Sequence, residues 1–195
     1  MNDNDSKEAP RNDAWQLTSK TLVYENPWIA VNHHQVVTPT GTEGIYGVVN
    51  FKNHAVGILP IDERGSTWLV RQSRYPHDEY TWEIPEGGAP IGEPLLEAAK
   101  RELQEETGLH AEHWQVWLEL QTSNSVTDEC ATIYLAQGLK QGNTALEATE
   151  DITVHYLPLK EAVDKVYRNE IVDAMSVAAL LKVAAMKEFR HFFEE

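Results

Sequence analysis

Glu102, Glu105 and Glu106 stand at i, i+3 and i+4 of LLEAAKRELQEET, a segment of helical periodicity, so their carboxylates share one face. Like charges at that spacing destabilise a helix by about 0.2–0.5 kcal/mol per pair. Two arrangements accommodate the repulsion. One is a plain solvated acidic face. The other is a hard divalent cation, which takes several oxygen ligands from one rigid element. Gly87 and Gly88 lie just upstream and let backbone carbonyls and a ligand approach this face closely.

Gly87, Glu93, Arg101, Glu102, Leu103, Glu105, Glu106, Gly108 and Leu109 fall in the order G-x5-E-x7-R-E-U-x-E-E-x-G-U, with U a bulky aliphatic. This resembles the box of the Nudix hydrolases at every specified position. The seven positions that require one exact residue would coincide by chance on the order of 10⁻⁸ per window, which sets the solvated-face reading aside. The resemblance implies an α/β fold, a Nudix α/β/α sandwich with a mixed sheet. It implies cleavage of a nucleoside diphosphate linked to another moiety, with Mg²⁺ (or Mn²⁺) as cofactor. By the family pattern Glu102 and Glu106 are the principal metal ligands. Glu105 is a further acidic position for metal and catalysis, and the backbone carbonyl of Glu86 is another ligand. Arg101 and Glu93 are expected as a structural ion pair. The residue types suit the reaction, because a diphosphate repels a nucleophile until its charge is neutralised and the water is oriented.

The flanks resemble ADP-ribose and nucleoside-diphosphate-sugar pyrophosphatases. In RQSRYPHDEYTWEIPEGG, residues 71–88, Arg71 and Arg74 are expected as paired guanidinium donors near the diphosphate. The plainer alternative is a strand end paired with nearby acids. Glu83 matches a substrate-facing position, and Trp82 suits the sheet core. That subgroup carries an N-terminal strand portion, often exchanged across a two-fold homodimer, that helps bind the base. Trp28 and Phe51 are candidate base-stacking aromatics, with core packing as the alternative for each. His33 and His34, adjacent in strand texture, face opposite ways and do not suit one metal. In the loop TSNSVTDE, residues 122–129, Glu129 matches the family's general base better than Asp128 does; the alternative is two solvated loop acids. ADP-ribose-specific enzymes usually carry a proline where this chain has Asn124, so a broader substrate range including ADP-ribose and GDP-mannose is expected. The rival classes are a non-catalytic Nudix-like ADP-ribose-sensing module and a hydrolase of nucleoside triphosphates or dinucleoside polyphosphates. The module commonly loses box carboxylates, and this chain keeps them.

The elements that must position these groups follow from the texture of the 195 residues. Residues 1–14 read as a disordered tail, 15–50 as a strand-rich portion and 51–195 as the hydrolase domain. Strands are expected in TLVYENPWIAVNHHQVV (broken at Glu25-Asn26-Pro27), IYGVVNF, HAVGILPI, STWLVRQ and YTWEIP, the last stopped by Pro85 and Gly87-Gly88. Further strands are expected in HWQVWLEL, CATIYLAQ and DITVHYLP. Pro94 and Gly108 bound the acidic helix; LKEAVDKVY and a long stretch from Ile171 to Phe193 read as helices. The sheet is expected to be a single mixed one. The net charge of −15 disfavours nucleic acid and anionic membrane surfaces as partners. One cysteine, Cys130, excludes an internal disulfide. No apolar leader or span is seen, so a cytoplasmic location is expected.

Overall fold

The computed structural model describes residues 14–142 and 151–194, so the expected tail lies outside the described residues except for its last residue. The chain forms two compact units: Met1–Lys52 with Ser123–Asp128, and Asn53–Thr122 with Glu129–Glu195.

In the first unit β1 (Gln16–Glu25), β2 (Ile29–Val37) and β3 (Glu43–Phe51) form an antiparallel sheet in that order. The turn between β1 and β2 is made by Asn26, whose side-chain oxygen accepts from the backbone N–H groups of Trp28 and Ile29, both at 2.8 Å. The whole of β1 is exposed, including Leu17, Leu22, Val23 and Tyr24. Segment 123–128 belongs to this unit. Its Val126 carbonyl accepts from Val49 N, and Asp128 N donates to the Val49 carbonyl.

The second unit is built on β4 (Asn53–Pro60), β5 (Ser66–Arg74), β6 (Glu79–Glu83), β7 (Glu86–Pro90), β8 (Leu109–Gln121), β9 (Cys130–Gln141) and β10 (Thr153–Pro158). They form two sheets rather than one: β7-β4-β9-β8, with β4 and β9 parallel, and antiparallel β10-β5-β6. Three helices pack on them: α1 (Leu95–Thr107), α2 (Leu159–Tyr167) and α3 (Ala174–Ala185). Alternation along the central strands produces two separate cores. Val56 and Ile58 of β4, with Tyr134 and Ala136 of β9, pack with Ala98, Ala99 and Leu103 of α1. Leu59 of β4, with Ile133 and Leu135 of β9, packs with Leu159 and Ala162 of α2 and with Met175 and Leu180 of α3. The result is a helix–sheet–helix sandwich.

Two elements depart from expectation. Gly87-Gly88 does not end a strand but lies inside one, with Gly87 opposite Val56 and Gly88 opposite Ala55. The stretch from Ile171 to Phe193 is not one helix. Asp173 caps α3, accepting from Ser176 N at 2.7 Å, and the helix ends before Met186, whose backbone is extended. A 3₁₀ turn over Lys187–Phe192 follows. The turn sets Phe189 edge-on to Trp117 and Phe192 against Gly65, so tertiary packing overrides the continuous helical stripe. No helix among the described residues is long and apolar enough to cross a membrane.

Candidate active site

Helix α1 starts after Pro94, which has extended dihedrals and no side-chain cap, and stops at Gly108 in the left-handed conformation with φ +72°. Between these ends the helix turns its small residues, Ala98 and Ala99, and Leu103 into the core. Glu102 and Glu106 are also buried, at 8% and 2% exposure, and Glu105 is half-buried. Buried carboxylates need partners. Arg101 donates to Glu102 at 2.8 Å, to Glu105 at 3.0 Å and to Glu93 at 3.3 Å, and reaches the Gly88 carbonyl at 3.1 Å. Burial alone would lower the Arg101 pKa. The hydrogen bond to Glu93 and the charge and hydrogen bond of Glu102 outweigh it and hold the guanidinium more firmly protonated than usual. Glu106 accepts from the backbone N–H of Glu86 at 3.1 Å.

The strand β7 lies directly against this face. A Cβ on Gly87 would sit 2.2 Å from the Glu102 carboxyl carbon, and one on Gly88 would sit 2.9 Å from Asn53 Nδ2. Glycine at 87 is thus a matter of space for a carboxylate. Among the described residues no three acidic, His or Cys side chains are gathered closely enough to cage an ion by themselves. What the face offers is an all-oxygen donor set on a rigid helix, with a backbone strand pressed against it. That chemistry fits a hard divalent cation that keeps waters and substrate oxygens as its other ligands.

Beside this face opens a cavity of about 460 Å³ lined by Arg74, Thr81, Glu83, Glu86 and Asp173 among others. Arg74 holds two carboxylates at once, donating to Glu83 through Nε at 2.9 Å and through Nη2, and to Glu86 through Nη2. Gln72 and Thr81 also donate to Glu83, which is buried. Burial works against the Arg74 charge, but Glu83 and Glu86 more than offset it and raise its pKa. Burial also pushes the Glu86 carboxyl well above the usual carboxylate range. The charges of Asp173, Glu83 and Glu106 add to the rise and outweigh the one guanidinium it shares with Glu83. The Glu86 Oε2 atom is buried without a hydrogen-bond partner.

The expected pairing of Arg71 with Arg74 is not formed. Three residues apart on β5, they point to opposite faces. Arg74 shares its face with Gln72, Thr81 and Glu83, whereas exposed Arg71 lies over the Tyr80 ring at 4.8 Å. Trp82, on the Arg71 face, packs against the core and His155. Trp28 is 66% exposed in the turn before β2, and Phe51 ends β3 half-buried. The two loop acids divide. Both Asp128 oxygens are engaged within the first unit, by Asn50 Nδ2 at 2.7 Å and Phe51 N at 2.8 Å. Glu129 accepts from the Thr122 hydroxyl in the second unit. The sequence reading missed the Glu86 side chain and Asp173. An Asp followed by an apolar helical run is an N-cap signal that could have located the latter.

Residues 52–180 match the NUDIX domain, and residues 15–49 match the nucleoside diphosphate sugar hydrolase N-terminal domain. The chain is 36% identical over 173 residues to an ADP-ribose pyrophosphatase of Mycobacterium tuberculosis, an overlap covering 87% of this chain and 83% of that protein. It is 29% identical over 164 residues to an ADP-ribose pyrophosphatase of Bacillus subtilis, covering 83% and 88%. The fold aligns with the crystal structure of an ADP compounds hydrolase at a TM-score of 0.78 and 24% identity, covering 87% of this chain and 91% of that one. With the acidic helix, the glycine strand packed on it and the domain match over two thirds of its length, this chain belongs to the Nudix family.

Proposed function

We propose that this chain is a Mg²⁺-dependent hydrolase of nucleoside diphosphate sugars, ADP-ribose and GDP-mannose among them, releasing a nucleoside monophosphate and a sugar phosphate. The observation that carries the reading is the complete acidic face of α1 seated on Gly87. The relatives with ADP-ribose pyrophosphatase activity in their names support the substrate class. Nudix hydrolases generally need a divalent metal. Glu102, Glu106, Glu105 and the backbone carbonyl of Glu86 would hold it, Mg²⁺ by choice and Mn²⁺ as substitute. Bound there, the cation supplies charge neutralisation and Lewis acidity to the diphosphate.

The protein's own groups do the rest. Glu129 takes the proton from the attacking water, and Glu105 assists from the helix. Arg74 and Glu83 line the cavity that receives substrate. Trp28 and Phe51 offer aromatic faces to the base. The exposed apolar residues of β1 fit a homodimer in which the N-terminal strands are exchanged, and the location is the cytoplasm. The test is product analysis with Mg²⁺ across ADP-ribose, GDP-mannose, UDP-glucose and a nucleoside triphosphate, run in ¹⁸O-water. Label on one phosphate product supports the reading. Label on the sugar carbon, preference for the triphosphate or no turnover at all each refutes it.

A further inference from the structure

We propose that Asn32, Asn50 and Asp128 form a hydrogen-bond relay that sets the loop ahead of Glu129, so that Asn50 and Asp128 are positioning residues for turnover. The inference rests on the reading of Glu129 as the base.

Asn32 is buried at 4% exposure in β2, where an unbonded amide would be costly. It lies opposite Val48, and Asn50 is the next residue on that face of β3, a diagonal neighbour within side-chain reach. Asn32 Nδ2 donates to Asn50 Oδ1 at 2.7 Å. This fixes the Asn50 amide so that its Nδ2 points outward, and it donates to Asp128 Oδ2 at 2.7 Å. Phe51 N takes the other carboxylate oxygen at 2.8 Å. Bonds to an ionised acceptor are roughly twice as strong as neutral ones, so this clamp adds a strong side-chain restraint at the Asp128 end of the segment. The loop is Ser, Thr and Asn, and its one aliphatic, Val126, is 50% exposed. Val49 exchanges backbone bonds with Val126 and Asp128, the Tyr46 hydroxyl donates to the Ser125 carbonyl, and the Val126 and Thr127 amides donate to the Ser123 carbonyl.

Asp128 thus has both oxygens held by donors of β3. Its neighbour Glu129 follows one peptide unit later, about 3.8 Å between Cα atoms, so a shift of Asp128 is carried into Glu129. Reacting groups tolerate little misplacement, about 1 Å costing on the order of 10²-fold.

The relay is tested by exchanging its partners. Asn50→Asp sets two carboxylates against each other, and Asp128→Asn sets two amides in conflict. Each is expected to lower kcat about tenfold with KM within about twofold. In the double variant the new carboxylate at 50 still accepts from Asn32 and now accepts from the new amide at 128, whose oxygen still accepts from Phe51 N. That variant is expected to recover kcat to within about threefold of the parent. Hydrogen exchange at the Val49 and Asp128 amides, faster in both single variants, returns to the parent rate with it. Single variants with parental kcat beside a crippled Glu129→Gln overturn the relay alone, as does a double variant no better than the singles or a change confined to KM. A Glu129→Gln protein with normal turnover overturns the base assignment and the relay with it.

Discussion

Replacing Gly87 with alanine inserts a methyl where the structure has only the Glu102 carboxylate. The new Cβ would lie 2.2 Å from the carboxyl carbon and 2.2 and 2.5 Å from its two oxygens. Ordinary contact begins near 3.4 Å, so something must move by about 1.2 Å. The backbone of β7 is fixed by pairing with β4 on one side and by the Glu106 bond at Glu86 N. Glu102 is therefore the group that yields, leaving its bond to Arg101. Overpacking of this kind costs about 1–3 kcal/mol. At about 2–4 °C per kcal/mol for a domain of this size, the thermal midpoint should fall by only about 2–12 °C. Turnover should suffer far more, since displacing a charged group by about 1 Å costs on the order of 10²-fold. The assay is kcat against Mg²⁺ concentration beside a thermal melt, with Gly47→Ala as control because a Cβ there meets nothing within 4 Å. The expected result is a folded protein that needs much more Mg²⁺ and turns over at most about 1% as fast. Parental activity at ordinary Mg²⁺ would refute the claim that Glu102 in its present place is essential.

Other outcomes follow from the same site. Glu106→Gln, which keeps shape but removes a charge from the oxygen donor set, should lose at least about 10² in turnover with its melt intact; near-normal rates in Mg²⁺ would reassign the helix face. Glu129→Gln should lower kcat far more than it raises KM and more than Asp128→Asn does, as expected of a group acting in the transition state. Removing residues 1–50 should abolish both dimer and substrate binding, so a fully active monomer by light scattering and kinetics contradicts the exchanged-strand reading. Because burial raises the Glu86 pKa in the folded state, the folded protein binds the extra proton, and stability falls as pH rises from the usual glutamate range through the raised value. Glu86→Gln should flatten that decline in chemical denaturation at a series of pH values, and an unchanged slope would show that the burial is not felt.

The parts of this site that were legible in the sequence are those in which function depends on spacing within one element. Glu102, Glu105 and Glu106 share a face because a helix has 3.6 residues per turn, and nothing from elsewhere in the chain can change that. The Arg101–Glu93 ion pair was expected from the family pattern, and the first turns of α1 that separate the two residues fix its geometry. The strand alternation needed to separate Arg71 from Arg74 was equally available. The expectation of a pair came instead from the resemblance of residues 71–88 to the pyrophosphatase subgroup, and residues three apart on β5 lie on opposite faces.

What the sequence could not show is where partners come from distant positions. Asp173 enters the cavity from the start of α3, about a hundred residues beyond Arg74, and only the packing of α3 against the sheet brings them to one place. The choice between Asp128 and Glu129 is of the same kind. Adjacent acids in a polar loop look alike until Asn50 and the Phe51 amide are seen to take both oxygens of one of them. Gly87 was read as a place of close approach to the acidic face, and the structure shows which group makes that approach. Gly87 sits in a regular strand with no positive φ. Its lack of a side chain makes room for Glu102, a carboxylate fifteen positions later, and that demand is steric. Substitution by any L-residue should then fail in proportion to side-chain size and not to backbone propensity, which is why alanine, the smallest, is the informative change.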